Sequence, residues 1–138
     1  MSSDSDTPSS TNRGDAVRTM SLVHGLFYAA TGFWPIVSIK TFQLVTGPKR
    51  DLWLVKTAGA LITVIGGVLT LAGLRRRVTP EIQTLGVGSA LGLTAIDLVY
   101  YRRGVLGPVY LLDAVAELGL ASGWLLARRT QVHPEQLQ

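Results

Sequence analysis

No cysteine occurs in the 138 residues, which excludes a disulfide, a thiolate metal site and a cysteine nucleophile, and leaves the redox compartment unread. Charge is scarce as well. Asp, Glu, Lys and Arg make up 16% of the chain, where a soluble domain carries about a quarter. Histidine is limited to His24 and His133, which fall on different elements, so no His-rich metal site can be argued. No Walker loop, GxGxxG, HExxH or GxSxG is present, and Gly86-Val87-Gly88 lacks the downstream glycine and the preceding strand of a dinucleotide fingerprint. A triad, metal hydrolysis and a bound cofactor are therefore unsupported, and the expectation leans away from an enzyme.

What the chain has in abundance is apolar sequence. Apolar residues account for 47%, with 15 glycines besides, and the charges sit between apolar blocks instead of recurring within them at helical period. That is membrane patterning. The net charge is +4, but the basic residues cluster at the block ends, where membrane proteins place them, so nucleic acid is not an expected partner.

Met1 to Asp15 are mostly Ser, Thr, Asp and Pro with little to bury, which predicts a disordered tail over residues 1 to 19. An acidic start and an over-long apolar run argue against a signal peptide. A four-helix transmembrane domain is expected over residues 20 to 127, as blocks at Met20 to Val45, Leu52 to Leu74, Ile82 to Tyr101 and Val105 to Ala127. Each reaches the roughly 20 residues that span about 30 Å of hydrocarbon. Gly47-Pro48-Lys49-Arg50-Asp51, Arg75-Arg76-Arg77-Val78-Thr79-Pro80-Glu81 and Arg102-Arg103-Gly104 separate them, with Thr79 as N-cap, Pro80 at the first helical position and Gly107-Pro108 opening the last helix. Such short connections predict an all-α, up-down-up-down integral membrane bundle, followed by a polar tail over residues 128 to 138.

Arg13, Arg18, Arg75, Arg76, Arg77, Arg128 and Arg129 fall on one side of that bundle; Lys49, Arg50, Arg102 and Arg103 fall on the other. The excess places both termini in the cytoplasm of a multi-pass protein of the bacterial inner membrane. Arginine outnumbers lysine ten to three, a hint of a GC-rich bacterial genome. The five arginines at positions 75 to 77, 128 and 129 also suit anionic lipid. Trp53 and Trp124 fit interfacial anchors, Lys40 snorkels to the surface, and Trp34 adjoins Pro35, where the first helix should kink.

At 100° per residue, His24, Tyr28, Thr31, Pro35 and Ser38 share one face of the first helix. The second collects Lys56, Ala60, Thr63, Gly67 and Thr70, and the third Gly86, Ala90, Thr94, Asp97 and Tyr101. On the fourth, Asp113 and Glu117 lie one turn apart beside Gly119, Gly123 and Ala127. Lipid offers no hydrogen bonds, so these stripes should turn inward, and small residues are also the ordinary means of close helix packing.

A charge near the bilayer centre costs roughly 2.5 to 3.5 kcal/mol on insertion scales, so the ionisable residues ask for more. Glu117 falls near the midplane, with Asp113, Asp97 and Lys56 progressively outward in the same half. Two readings stay open. In one, Lys56 pairs with Asp97 or Asp113, Tyr101 and Tyr110 supply hydrogen bonds, and the network fixes helix order. In the other, the acids line a pocket that binds a proton, a cation or a lipid-like ligand. His24, in the opposite half, either completes a proton path or sits at the interface.

FQLVTGPKRDLWLVKTAGALITVIG and the later AIDLVYYRRGVLGPVYLLDAVAELGLASGW look like a group of small four-helix bacterial membrane proteins to which no activity is attached. In size and architecture the chain also resembles DoxX-like proteins, four-helix subunits or accessories of membrane redox systems, without a residue-by-residue motif. A more distant analogy is to the sterol isomerase and sigma-2 receptor group, whose bundles bind cationic or sterol-like ligands through buried carboxylates, a role that Asp113 and Glu117 suit. Three expectations follow: a non-catalytic subunit or accessory that packs against itself or a larger membrane protein; a pocket protein or small transporter using Asp97, Asp113 and Glu117; and a membrane enzyme acting on lipid or isoprenoid.

Overall fold

A computed structural model describes residues 10–129. Within them lie five helices, α1 (Ser10–Val37), α2 (Ile39–Thr46), α3 (Leu52–Leu74), α4 (Pro80–Arg102) and α5 (Val109–Arg129), and no strand. Four of them, α1 from Gly14 onward, α3, α4 and α5, are long and apolar enough to cross a membrane. The readings of residues 1 to 9 and 130 to 138, His133 among them, fall outside the described residues.

The helix ends follow local chemistry. Thr79 caps α4, its side chain accepting the Ile82 N–H at 3.4 Å, and Pro80 takes the first turn, where its missing N–H costs nothing. The first apolar block departs from expectation at both ends. Its helix begins at Ser10 instead of near residue 20, because the added turns pack: Val17 and Ser21 are buried, and Arg18 donates through Nε to the Gly73 carbonyl at 2.9 Å. Near its far end the block breaks instead of merely kinking. Pro35 cannot continue the backbone ladder, and Ser38 leaves the helical region (φ −143°, ψ 88°) to cap α2 by accepting from the Thr41 N–H. Trp34 fastens the corner, its Nε1 donating to Thr41 Oγ1 at 2.9 Å.

α1 and α3 form the closest pair, and glycine spacing explains why. Gly25 and Gly32 on α1, and Gly59, Gly66 and Gly73 on α3, recur every seven residues, the period that keeps one seam facing a partner as helices supercoil. A methyl on Gly32 would come 2.7 Å from the Gly59 carbonyl oxygen, and one on Gly66 would come 2.5 Å from the Ala29 nitrogen. Only hydrogen fits at these crossings. The matched positions run in opposite directions, so the two helices are antiparallel.

α4 and α5 make a second antiparallel pair, with Gly86 beneath the Trp124 indole and Asp97 beside Asp113. The pairs meet along α1 and α5, where Met20 covers Gly123, His24 meets Trp124 and Tyr28 meets Glu117. Val17, Leu69, Trp124 and Ala127 close the end of the molecule nearest the termini. The perimeter carries Leu26, Leu61, Val64, Val115 and Leu126, all largely exposed, an apolar outer surface unlike that of a water-facing bundle.

Two face assignments need correction. Trp124 is fully buried and no interfacial anchor, unlike Trp53, which is 70% exposed. On α3 the inward face is Gly59, Gly66, Leu69, Ala72 and Gly73, while Lys56, Ala60 and Gly67 are exposed. Thr63 and Thr70 misled the assignment because each bonds a carbonyl of its own helix, Gly59 at 2.7 Å and Gly66 at 2.8 Å, and needs no partner across the interface.

Candidate functional site

Turns of α1 stack His24, Tyr28 and Thr31 on one side, and Tyr28 Oη reaches across to donate to Glu117 Oε2 at 2.8 Å. Ser89 of α4 also stands within hydrogen-bonding reach of the Tyr28 hydroxyl. Both members of the Tyr28–Glu117 pair are 1% exposed. One turn toward the termini, Trp124 Nε1 donates to His24 Nδ1 at 2.9 Å, and the His24 ring meets the Tyr28 ring edge-on with centroids 4.1 Å apart. An accepting Nδ1 places the imidazole proton on Nε2, which is buried without a partner.

One turn the other way from Glu117, Asp113 is half-buried and in hydrogen-bond contact with Asp97 of α4. Two carboxyl groups in such contact need a proton between them, since an ionised carboxylate is an acceptor only. Asp97 is 5% exposed, and its Oδ2 has no hydrogen-bond partner.

Asp97 belongs to the wall of a cavity of about 480 Å³, within the roughly 300 to 1,000 Å³ of small-molecule pockets. Phe27, Phe42, Val55, Ala58, Ile62 and Ala116 supply apolar wall; Asp97, Asp113 and Glu117 supply acid. Val45 and Leu112 line it too, yet are 52% and 72% exposed, so the space opens sideways between α2 and α5 onto the apolar perimeter. No lysine or arginine is among its lining residues. The ammonium of Lys49 instead stands 4.6 Å from the centroid of the Tyr110 ring and donates to the Thr46 carbonyl.

The structure thus brings Asp97, Asp113, Glu117 and Tyr110 to one cavity and sets His24 behind Tyr28, in the buried core and away from any interface. It does not bring Lys56 or Tyr101 there. Lys56 is exposed one turn into α3, where its long stem can carry the ammonium to a polar boundary, and Tyr101 is 37% exposed in the last turn of α4. The expected Lys56 pairing with an aspartate is replaced by contact between the two aspartates. Tyr28 and Trp124 were missed as site residues, although Tyr28 follows His24 by one turn on the same face. Among the described residues, no group of three or more His, Asp or Glu is placed to hold a metal ion.

Fold and site define an all-helical protein with four helices fit to cross a membrane and an acid-floored cavity between them. No protein-family model matches the chain, and no curated protein or solved structure matches it either.

Proposed function

We propose that the protein is a small multi-pass membrane protein, an up-down-up-down bundle in a bacterial inner membrane with both termini cytoplasmic, whose cavity receives a single amphiphile. The polar end of the ligand meets Asp97, Asp113 and Glu117, and its chain leaves past Val45 and Leu112 toward the surrounding lipid. The observation that carries this reading is a largely apolar cavity walled in part by three acids, one of which, Asp97, is buried with its Oδ2 unpartnered. An acceptor left bare in such surroundings costs about 1 to 3 kcal/mol, which a donor on a ligand would recover. A helix-ordering network alone would leave neither the bare acceptor nor the space beside it.

Photolabelling tests it. Protein in nanodiscs is exposed to diazirine-bearing dodecyl probes with alcohol, amine or phosphate heads, and the labelled residues are mapped by mass spectrometry. At least one probe should label Phe27, Ala58 or Ala116 well above the outward Leu26 and Val115, and Ala116→Phe, which fills the space, should remove that labelling. Uniform labelling of the perimeter by every probe would overturn the reading.

A further inference from the structure

We propose that the cavity exchanges one proton for one amphiphilic monocation, an alkylammonium whose N–H donors take the place of the proton held between Asp97 and Asp113. The proposal rests on the ligand-binding reading above and names its ligand class. The groups facing the acids decide it. α1 contributes Tyr28, whose hydroxyl is already given to Glu117. α4 contributes Asp97, and α5 contributes Tyr110, Asp113 and Glu117. α3 contributes Val55, Ala58, Gly59 and Ile62, none of which carries charge, and α2 contributes Phe42, Val45 and Thr46. Lys49 is not among the lining residues and is engaged by the Tyr110 ring and the Thr46 carbonyl, and Lys56 is exposed elsewhere on α3.

Acids and phenols therefore face the cavity with no cation among them. Ionising several of these acids together in a low-dielectric site would leave negative charge unopposed. The empty cavity keeps a proton in the Asp97–Asp113 contact for that reason. An entering ammonium supplies the missing positive charge and up to three N–H donors, enough for the bare Asp97 Oδ2 and for the Asp113 oxygen freed when the proton leaves. The shared proton passes to solvent, the ammonium keeps its own protons, and no covalent bond to carbon forms or breaks. Charge inside the cavity is the same before and after, which fixes the exchange at one for one. A quaternary ammonium, with no N–H, cannot satisfy Oδ2 and should bind more weakly than a primary amine of equal chain length.

The experiment titrates dodecylammonium into protein in neutral-lipid nanodiscs under weak buffering, with a pH indicator reading protons and empty nanodiscs subtracted. One proton should appear per amine bound, and amine affinity should rise with pH by up to about tenfold per unit while the shared proton remains to be displaced. Dodecanol should enter the cavity with no proton released. Asp97→Asn should abolish proton release and the preference for amine over alcohol; Asp113→Asn should do the same, and serves if the first variant does not fold. Amine binding with no proton released, or with affinity independent of pH, would overturn the exchange and leave the cavity reading standing. Loss of cavity labelling by every probe would instead remove the reading beneath it.

Discussion

Tyr28 is the residue on which three helices depend, because its hydroxyl donates to Glu117 of α5 and lies within reach of Ser89 of α4. Interhelical hydrogen bonds in membranes average about 0.6 kcal/mol and reach about 1.7. Tyr28→Phe should fall at the upper end, since it strips the phenol donor from a fully buried carboxyl. Glu117→Gln should cost less, because an amide oxygen still accepts from Tyr28. Unfolding curves in mixed micelles would order the two variants, and the reverse order would mean that the bond is not the one holding the helices. Trp124→Phe belongs to the same series. It leaves His24 Nδ1 bare when Nε2 already is, and should cost about 1 to 3 kcal/mol in the same assay. At this scale the acids were legible because a charge inside an apolar run is an anomaly in its own right. Trp124 was not, since an aromatic with a polar tip near a helix end suits the lipid interface as well as it suits a buried bond; Tyr28 was placed on the inward face, but nothing in the sequence names Glu117 as its partner.

Among the elements, the α1–α3 pair makes the sharpest contrast. Gly66 and Gly67 are neighbours in sequence, but a methyl on Gly66 would strike the α1 backbone while one on Gly67 meets nothing within 4 Å. Gly66→Ala should therefore destabilise by about 1 to 3 kcal/mol through overpacking, and Gly67→Ala should be neutral or gain up to about 1 kcal/mol through helix propensity. Equal effects in thermal melts of the purified variants would show that the seam is not where the structure puts it. The existence and approximate limits of the α3, α4 and α5 helices could be read from apolar block length and from Thr79-Pro80. The inward face of α4 could be read as well, because Asp97 marks it. The face of α3 could not. Its glycines point both inward and outward, its threonines are satisfied locally, and Lys56 drew the stripe about one residue around the helix. The break at Ser38 was foreshadowed by Pro35 only as a kink, since the sequence does not show that Ser38 and Trp34 together cap and brace a new helix.

For the whole molecule the open quantity is direction in the membrane, and the basic residues make it testable. The antiparallel order puts Arg18, Arg75, Arg76, Arg77, Arg128 and Arg129 at the end that the core cluster closes, with Lys49, Arg50, Arg102 and Arg103 at the cavity end. Positive residues near span ends are retained in the cytoplasm. The termini should therefore be cytoplasmic, and the cavity should lie in the outer half. Arg75, Arg76 and Arg77 are half of the six basic residues at that end and occupy an exposed turn, so Arg75→Gln, Arg76→Gln and Arg77→Gln together should disturb orientation with little effect on packing. Paired C-terminal reporters, one active only in the cytoplasm and one only outside it, should show a single cytoplasmic orientation for the parent chain and a mixed population for the triple variant. A parent chain with its C-terminus outside would turn the cavity toward the cytoplasm, and the exchange would then draw its cation from within the cell. An unmixed cytoplasmic orientation in the triple variant would assign the direction to Arg18, Arg128 and Arg129 at the ends of α1 and α5, where charge acts on the first and last spans to be placed.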